Sequence, residues 1–98
     1  MIEHVHSEVV EAVLVEALAC HLCDDAAQIL AHAESEGKLR VRRVALDSDE
    51  GRAIARVTRA PMPPIVLIDG RLLGWGRLSR GKLDRRLTGL AAPTGGAS

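Results

Sequence analysis

Aromatic residues are almost absent from this chain of 98 residues: it has no Phe and no Tyr, and Trp75 is its only aromatic side chain. We therefore do not expect this chain to bind nucleic acid by stacking bases on aromatic rings. The core must be built from Leu, Val, Ile and Ala. No apolar run approaches the ~18–20 residues that a membrane-spanning helix needs. We therefore expect a chain that binds neither nucleic acid nor a membrane.

Cysteine is also scarce, with two residues in the chain, too few for the disulfide framework of a small secreted protein. The apolar stretch 12–19 carries Glu16 and follows no basic segment, which argues against a secretory signal and for a cytoplasmic location. The rest of the composition, 47% hydrophobic and 27% charged residues, is that of an ordinary globular protein. The length fits one domain, and we expect a monomer.

Basic residues are missing from the first third of the chain. Residues 1–36 contain eight acidic residues and no Lys or Arg, whereas residues 37–98 contain all 13 basic residues and five acidic ones. The formal charges of the two parts are therefore −8 and +8. The simpler interpretation is that the two parts complement each other within one fold. The alternative is a basic face for an anionic partner.

Hydrophobic periodicity and turn residues divide the chain into seven elements. The pair Asp69-Gly70 between two apolar runs is its strongest short hairpin signal. The short second helix has Ala53, Ile54 and Val57 on its predicted inner side. In chain order the pattern predicts a strand at 9–18, a helix from Cys20 to Gly37, a strand at 39–46, a helix at 50–59, strands at 65–68 and 71–75, and a helix that Ser79 caps.

The predicted order is β-α-β-α-β-β-α, which is an α/β domain with a four-stranded mixed sheet and helices on both faces. The two αβ units predict parallel pairing, and the hairpin adds an antiparallel pair. Residues 1–8 are polar and predict a loose leader, residues 9–90 form the domain, and residues 91–98 predict a flexible tail.

Both cysteines lie in one motif, Cys20-His21-Leu22-Cys23, at the predicted junction of the first strand and first helix. Disulfide exchange needs a thiolate nucleophile and a second thiol that resolves the mixed disulfide. Backbone N–H groups at a helix N-terminus favour a thiolate at Cys20, and Cys23 lies one turn further in, where it is more sheltered. The motif therefore predicts Cys20 as the nucleophile and Cys23 as the resolving thiol, with His21 as a candidate that tunes the thiolate.

Two other interpretations of the cysteine pair stay open at this point. Both cysteines could be buried structural thiols. Zinc binding needs about four ligands, and only His4, His6 and His21 are candidates to complete the set. Solvated histidines in a leader are the simpler interpretation, so we expect no metal.

Two segments of the chain resemble the glutaredoxin-like branch of the thioredoxin superfamily: ACHLCDDA at residues 19–26 and MPPIVLIDGRLLGWGRLS at residues 62–79. The resemblance covers about residues 10–90. It implies a thioredoxin-like fold in which a cis-proline faces the cysteine pair. The distance to the hairpin matches best at Pro64, with Pro63 as second choice.

The resemblance also implies where a substrate binds. Met62, Pro63 and Pro64 are the implied substrate-binding segment beside the cysteines. In this family a glycine-rich turn beyond the hairpin holds the glutathione carboxylate. The similar segment of this chain makes three residues candidates for the recognition of a carboxylate-bearing thiol or peptide, namely Trp75, Arg77 and Ser79.

The sequence therefore predicts a glutaredoxin-like thiol–disulfide oxidoreductase with a redox-active Cys20–Cys23 pair. It needs no cofactor beyond a reducing low-molecular-weight thiol or a reductase. Its expected partners are disulfide-containing proteins or low-molecular-weight thiols. The main alternative is a non-catalytic thioredoxin-like binding or adaptor module, and a metal-binding thiol protein is a weaker one.

Overall fold

A computed structural model describes residues 9–91, and it confirms the predicted order of elements and the mixed four-stranded sheet. The predicted leader, with His4 and His6, and the predicted tail beyond residue 91 lie outside the described residues. In chain order the elements are β1 (Val10–Glu16), α1 (His21–Ser35), β2 (Leu39–Ala45), α2 (Asp49–Thr58), β3 (Ile65–Ile68), β4 (Arg71–Trp75) and α3 (Arg80–Ala91).

Strand β1 occupies the middle of the sheet, whose spatial order is β2-β1-β3-β4. It pairs in parallel with β2 and antiparallel with β3, and β3 pairs antiparallel with β4. The turn between β3 and β4 has positive φ angles at both central residues, 55° at Asp69 and 80° at Gly70. A turn of this kind matches the right-handed twist of its strands, so the hairpin prediction is confirmed.

Parallel pairing was predicted for both αβ units, and for the second unit this prediction is wrong. Strand β3 begins at the end of the sheet where β2 stops, because Ala45 pairs with Glu16 and Ile65 pairs with the neighbouring Val15. The helix between them has 10 residues and is therefore only about 15 Å long. The segment 59–64 then brings the chain back to the same end, so β3 runs opposite to β1.

Two apolar layers enclose the sheet, one on each face. Residues of β1 alternate between them: Ala12 and Leu14 face α1 and α3, whereas Val13 and Val15 face α2. The larger layer is completed by buried residues of both helices on its face, which are Ala26, Leu30, Ala33, Leu83 and Leu87. The smaller layer contains Val44 and Ile65, with the partly buried Ile54 and Ala55 of α2 packed against them.

The side that helix α2 presents to the sheet is only partly the predicted one. Ala53 and Ile54 are half-buried as expected, but Val57, also expected on the inner side, is 83% exposed. The other buried or half-buried residues of the helix are Gly51, Ala55 and Thr58. The Thr58 hydroxyl donates to the Ile54 carbonyl oxygen at 2.8 Å, so this hydroxyl has a hydrogen-bond partner although it faces an apolar layer. A stripe that contains glycine and threonine is invisible to a search for apolar residues, and this explains the error.

The first strand is shorter than the predicted 9–18, because it ends at Glu16. Leu18 lies in the following turn, and its side chain is 96% exposed. Ala19 then has a positive φ of 50°, a backbone conformation that interrupts a strand and that few residues other than glycine adopt.

Ion pairs across β1 and β2 join the acidic first part of the chain to the basic second part. The Arg42 guanidinium contacts Glu50 of α2 at 2.8 Å and Glu11 of β1 at 3.4 Å. The hydrogen bond from Arg42 lowers the pKa of Glu50. Arg43 makes two hydrogen bonds to Glu16, at 2.6 and 2.9 Å. The pairs of Arg42 with Glu11 and of Arg43 with Glu16 join the two parts, and they support the interpretation that these parts complement each other within the fold.

Within residues 9–91, none of the helices is both long and apolar enough to span a membrane.

We predict that Gly51→Ala destabilises the fold. A Cβ atom at Gly51 would lie 2.8 Å from the Leu46 Cα atom and closer still to the Ala45 carbonyl oxygen, both backbone atoms. Overpacking of this kind commonly costs about 1–3 kcal/mol, and the free energy of unfolding in urea should fall by that amount. The matched control is Gly89→Ala in α3, where the added Cβ meets no atom within 4 Å and should stabilise the protein by up to about 1 kcal/mol. Equal stability of Gly51→Ala and wild type would contradict the packing described above.

Candidate functional site

Cys20 is the N-cap residue of α1. Its backbone is extended, with φ −123° and ψ 107°, and its sulfur accepts a hydrogen bond from the Cys23 N–H at 3.1 Å. The Cys20 carbonyl oxygen accepts the first helical hydrogen bond, from the Asp24 N–H at 3.0 Å. An N-cap side chain normally uses an oxygen for this contact. Here a cysteine sulfur takes that place, and it therefore lies against the positive end of the helix.

Cys20 and Cys23 differ strongly in exposure. Their sulfur atoms lie at disulfide-bonding distance and their Cα atoms are 5.1 Å apart. Cys23 is 1% exposed, whereas Cys20 is half-buried. A reagent in solution therefore reaches Cys20 first, and the sulfur of Cys23 can react mainly with that of Cys20.

The turn before Cys20 holds it at the surface. Ala17 and Leu18 leave the sheet, and Ala19 adopts a left-handed conformation with φ 50°. Such a conformation costs a residue with a Cβ about 1–2 kcal/mol relative to the right-handed region. Nothing in the residue type of Ala19 predicts this backbone, so the sequence analysis missed it.

Three strands bring the predicted site residues to one end of the sheet. Val15, near the end of β1, pairs with Ile65 at the start of β3, and Ile65 pairs with Trp75 at the end of β4. Cys20 follows β1 and Pro64 immediately precedes β3, so both lie at this end. The peptide bond between Pro63 and Pro64 is cis.

The loop before β3 is tied to the end of β4. The buried Pro64 accepts a hydrogen bond at its carbonyl oxygen from the Gly76 N–H at 2.8 Å. Gly76 has a positive φ of 76°, which glycine adopts without steric cost. Sequence reasoning did not single out Gly76, although a glycine directly after a strand is a signal for this geometry. Met62, two residues before Pro64, is 42% exposed.

A cavity of about 310 Å³ lies between β4 and the start of α3. Arg77, Ser79 and Lys82 line it together with Trp75, and none of its lining residues is acidic. The Ser79 hydroxyl accepts from the Lys82 N–H at 3.1 Å, as predicted for a helix cap. The positive charges of Arg77 and Lys82 and the N-terminus of a 12-residue helix together favour the binding of an anion in this cavity. We name this space the cationic cavity.

The predicted site residues thus belong to three adjoining segments, which are the β1–α1 junction, the loop before β3 and the β4–α3 junction. His21 is the first residue of α1 and is exposed. Trp75 is 46% exposed. Within the part of the chain that the structure describes, no three His, Cys, Asp or Glu residues cluster as metal ligands. His4 and His6 lie outside that part.

Comparison with known proteins identifies the fold. No family model and no curated protein matches the sequence. An uncharacterised thioredoxin-like protein from Clostridium perfringens, a solution structure, has 15% identity and a TM-score of 0.64 over 86% of this chain and 72% of that one. A malarial protein has 18% identity and a TM-score of 0.63 over 86% of this chain and 99% of that one. The chain therefore has a thioredoxin-like fold, as the sequence predicted.

We predict that the reduced protein is alkylated at Cys20 at least about tenfold faster than at Cys23, because only Cys20 is accessible and receives a stabilising N–H donor. The same donor favours the thiolate, which is the form that iodoacetamide alkylates. Mass spectrometry of iodoacetamide-treated protein measures the rate at each cysteine. Cys23→Ala should retain the fast phase and Cys20→Ser should lose it. Equal rates at the two thiols would contradict this assignment.

Proposed function

We propose that this chain is a glutaredoxin-like thiol–disulfide oxidoreductase. The observation that carries the proposal is the asymmetric cysteine pair. Cys20 is half-buried and its sulfur accepts the Cys23 N–H, whereas Cys23 is buried at disulfide-bonding distance. A nucleophile and a resolving thiol need this division of roles. The thioredoxin-like fold is consistent with it but does not by itself establish an activity.

The reaction begins with the Cys20 thiolate, which attacks one sulfur of a substrate disulfide R–S–S–R′. A bond forms between the Cys20 sulfur and R–S, the substrate S–S bond breaks, and R′–S⁻ leaves and takes up a proton. Cys23 then loses its proton to solvent and attacks the Cys20 sulfur. R–S⁻ leaves and is protonated, and the Cys20–Cys23 disulfide remains. Counted from the dithiol, before Cys20 ionises, the protein has lost two electrons and two protons, and the substrate has gained them.

Reduction of the Cys20–Cys23 disulfide completes the cycle. A low-molecular-weight thiol or a reductase supplies the two electrons, and the chemistry requires neither a metal nor an organic cofactor. Such a donor works where thiols are kept reduced, so we propose the cytoplasm as the location. We further propose that the chain acts as a monomer on disulfide-containing proteins or low-molecular-weight thiols.

Substrate recognition is proposed to involve two segments beside the cysteines. Met62, Pro63 and Pro64 form the first, which supports binding of the substrate next to its disulfide. Trp75, Arg77 and Ser79 belong to the second. The absence of acidic residues among those that line the cationic cavity supports recognition of a carboxylate on the thiol or peptide.

The first test is the redox equilibrium of the cysteine pair. Wild-type protein equilibrated in thiol–disulfide buffers of set potential should show one reversible two-electron transition between about −120 and −270 mV, the range of catalytic pairs. Thiol titration and mass measurement follow this transition, and the Cys20→Ser variant should lack the transition. Two thiols that stay reduced throughout, or that oxidise irreversibly, would favour the binding or adaptor module instead.

The second test addresses the cationic cavity. The double variant Arg77→Gln/Lys82→Gln should reduce a carboxylate-bearing disulfide about fivefold more slowly than wild type, because a partly exposed ion pair contributes up to about 1 kcal/mol. The same disulfide with its carboxylates converted to amides should not distinguish the two proteins.

The matched control for this test is Arg40→Gln/Arg71→Gln, which removes the same charge at the opposite end of the sheet. Leu39, the neighbour of Arg40, pairs with Val10 at the start of β1, and Arg71 pairs with Ile68 at the end of β3. The control should match wild type on both substrates. Equal slowing of both double variants would show a general charge effect, and it would refute a carboxylate site in the cationic cavity.

A further inference from the structure

A groove lies on the other side of Cys20 from the cationic cavity. It runs between the β1–α1 turn and the loop after β2, and its volume is about 630 Å³. Two of its lining residues adjoin Cys20: Ala19 directly precedes it, and Asp24 donates its N–H to the Cys20 carbonyl oxygen at 3.0 Å. We name it the acidic groove, and its lining residues are Glu16, Ala17, Leu18, Ala19, Asp24, Arg43, Val44, Ala45, Leu46 and Asp47.

Much of the acidic groove is apolar. Leu18 contributes a side chain that is 96% exposed, and the half-buried Leu46 of the opposite wall adds further aliphatic surface. A leucine exposed to this degree gains nothing for the fold, since it has left the core. Apolar surface that lines a groove rimmed by polar residues is typical of a surface that a partner covers.

The charged residues of the groove are unbalanced. Glu16, Asp24 and Asp47 supply three carboxylates against the single guanidinium of Arg43, so the lining carries a net charge of −2. Arg43 is already engaged by Glu16, which accepts two of its hydrogen bonds and raises the pKa of Arg43. Among residues 9–91, neither Asp24 nor Asp47 forms an ion pair. Two carboxylates thus remain to attract a cation.

We propose that the acidic groove binds a Lys or Arg side chain of a protein substrate, close in sequence to the cysteine that reacts with Cys20. The aliphatic stem of such a side chain packs on apolar surface while its charged end reaches a carboxylate. This matches Leu18 and Leu46 beside Asp24 and Asp47. The volume is far larger than one cationic group fills, which favours a peptide segment over a small amine. The Asp24 N–H donates to the Cys20 carbonyl oxygen, so Asp24 lies one helical turn, about 5.4 Å, from Cys20. An extended chain advances about 3.3–3.6 Å per residue, so the basic residue lies within about three residues of the cysteine.

This inference rests on the proposed function and names its substrate class. The test uses reduced wild-type protein and two N-acetylated, C-amidated peptides, each with one cysteine in a disulfide with mercaptoethanol. One peptide carries lysine on both sides of the cysteine and the other carries glutamine. At low salt the lysine peptide should be reduced about fivefold faster, since each ion pair with the groove adds a modest factor. The ratio should fall towards one at high salt.

The groove variant is Asp24→Asn/Asp47→Asn, and it should abolish the preference for lysine. The control Asp69→Asn/Asp84→Asn removes the same charge at the hairpin tip and on α3, outside the groove lining, and should keep the preference. Because the readout is a ratio of two rates on one protein, changes in thiol reactivity cancel.

The outcomes separate the inference from the proposed function. Equal rates for the two peptides on wild type, or a preference for lysine that survives in the groove variant, would refute the groove as a cation site while leaving the oxidoreductase intact. Failure to reduce either peptide would refute the proposed function, and the inference with it.

Discussion

Everything at the candidate site depends on the pairing of β1 along both of its edges. Residues Ala12 to Val15 are buried on both faces of the sheet, and their neighbours in β2 and β3 satisfy their backbone hydrogen bonds. A buried strand held in this way has no freedom to slip, because a shift of one residue would turn Leu14 and Val15 to the wrong layers. The position of Cys20 relative to Pro64 is therefore set by packing several residues away from either.

Local patterns predicted the elements well, because periodicity and turn chemistry act within a few residues. Asp69-Gly70 determines a hairpin through its backbone angles, and both flanking strands match their predicted limits. The errors arose where long-range contacts decide. The direction of β3 depends on where the segment 59–64 returns, and the inner side of α2 depends on a glycine that lets the helix approach the Ala45 carbonyl oxygen. Neither feature leaves a periodic signal in the sequence.

The orientation of Trp75 is another consequence of long-range structure. Strand β4 contains a bulge, since Val66 pairs with Gly74 while the adjacent Leu67 pairs with Leu72. The additional residue, Leu73, is buried in the layer formed with α1 and α3. The bulge also changes the partner of Trp75 to Ile65, a residue of the opposite layer. Bulges commonly redirect a side chain next to a functional site. The motif located Trp75 at the site, but only the register reveals its strand partner.

The uneven distribution of charge along the sequence gives the candidate site an acidic side and a basic side. The acidic first part of the chain supplies Glu16 and Asp24 to one side of Cys20 through the β1–α1 junction, and the basic second part supplies Arg77 and Lys82 to the other side through the β4–α3 junction. Arg43 adds a positive charge to the acidic side, but this charge is paired with Glu16 through two hydrogen bonds. The pairing that joins β1 to β2 thus also leaves the acidic flank with an excess of carboxylates. Opposite potentials on two sides of a site orient a polar partner during encounter. For the proposed thiol–disulfide exchange such orientation matters, because attack on one sulfur of an asymmetric disulfide gives a different product from attack on the other.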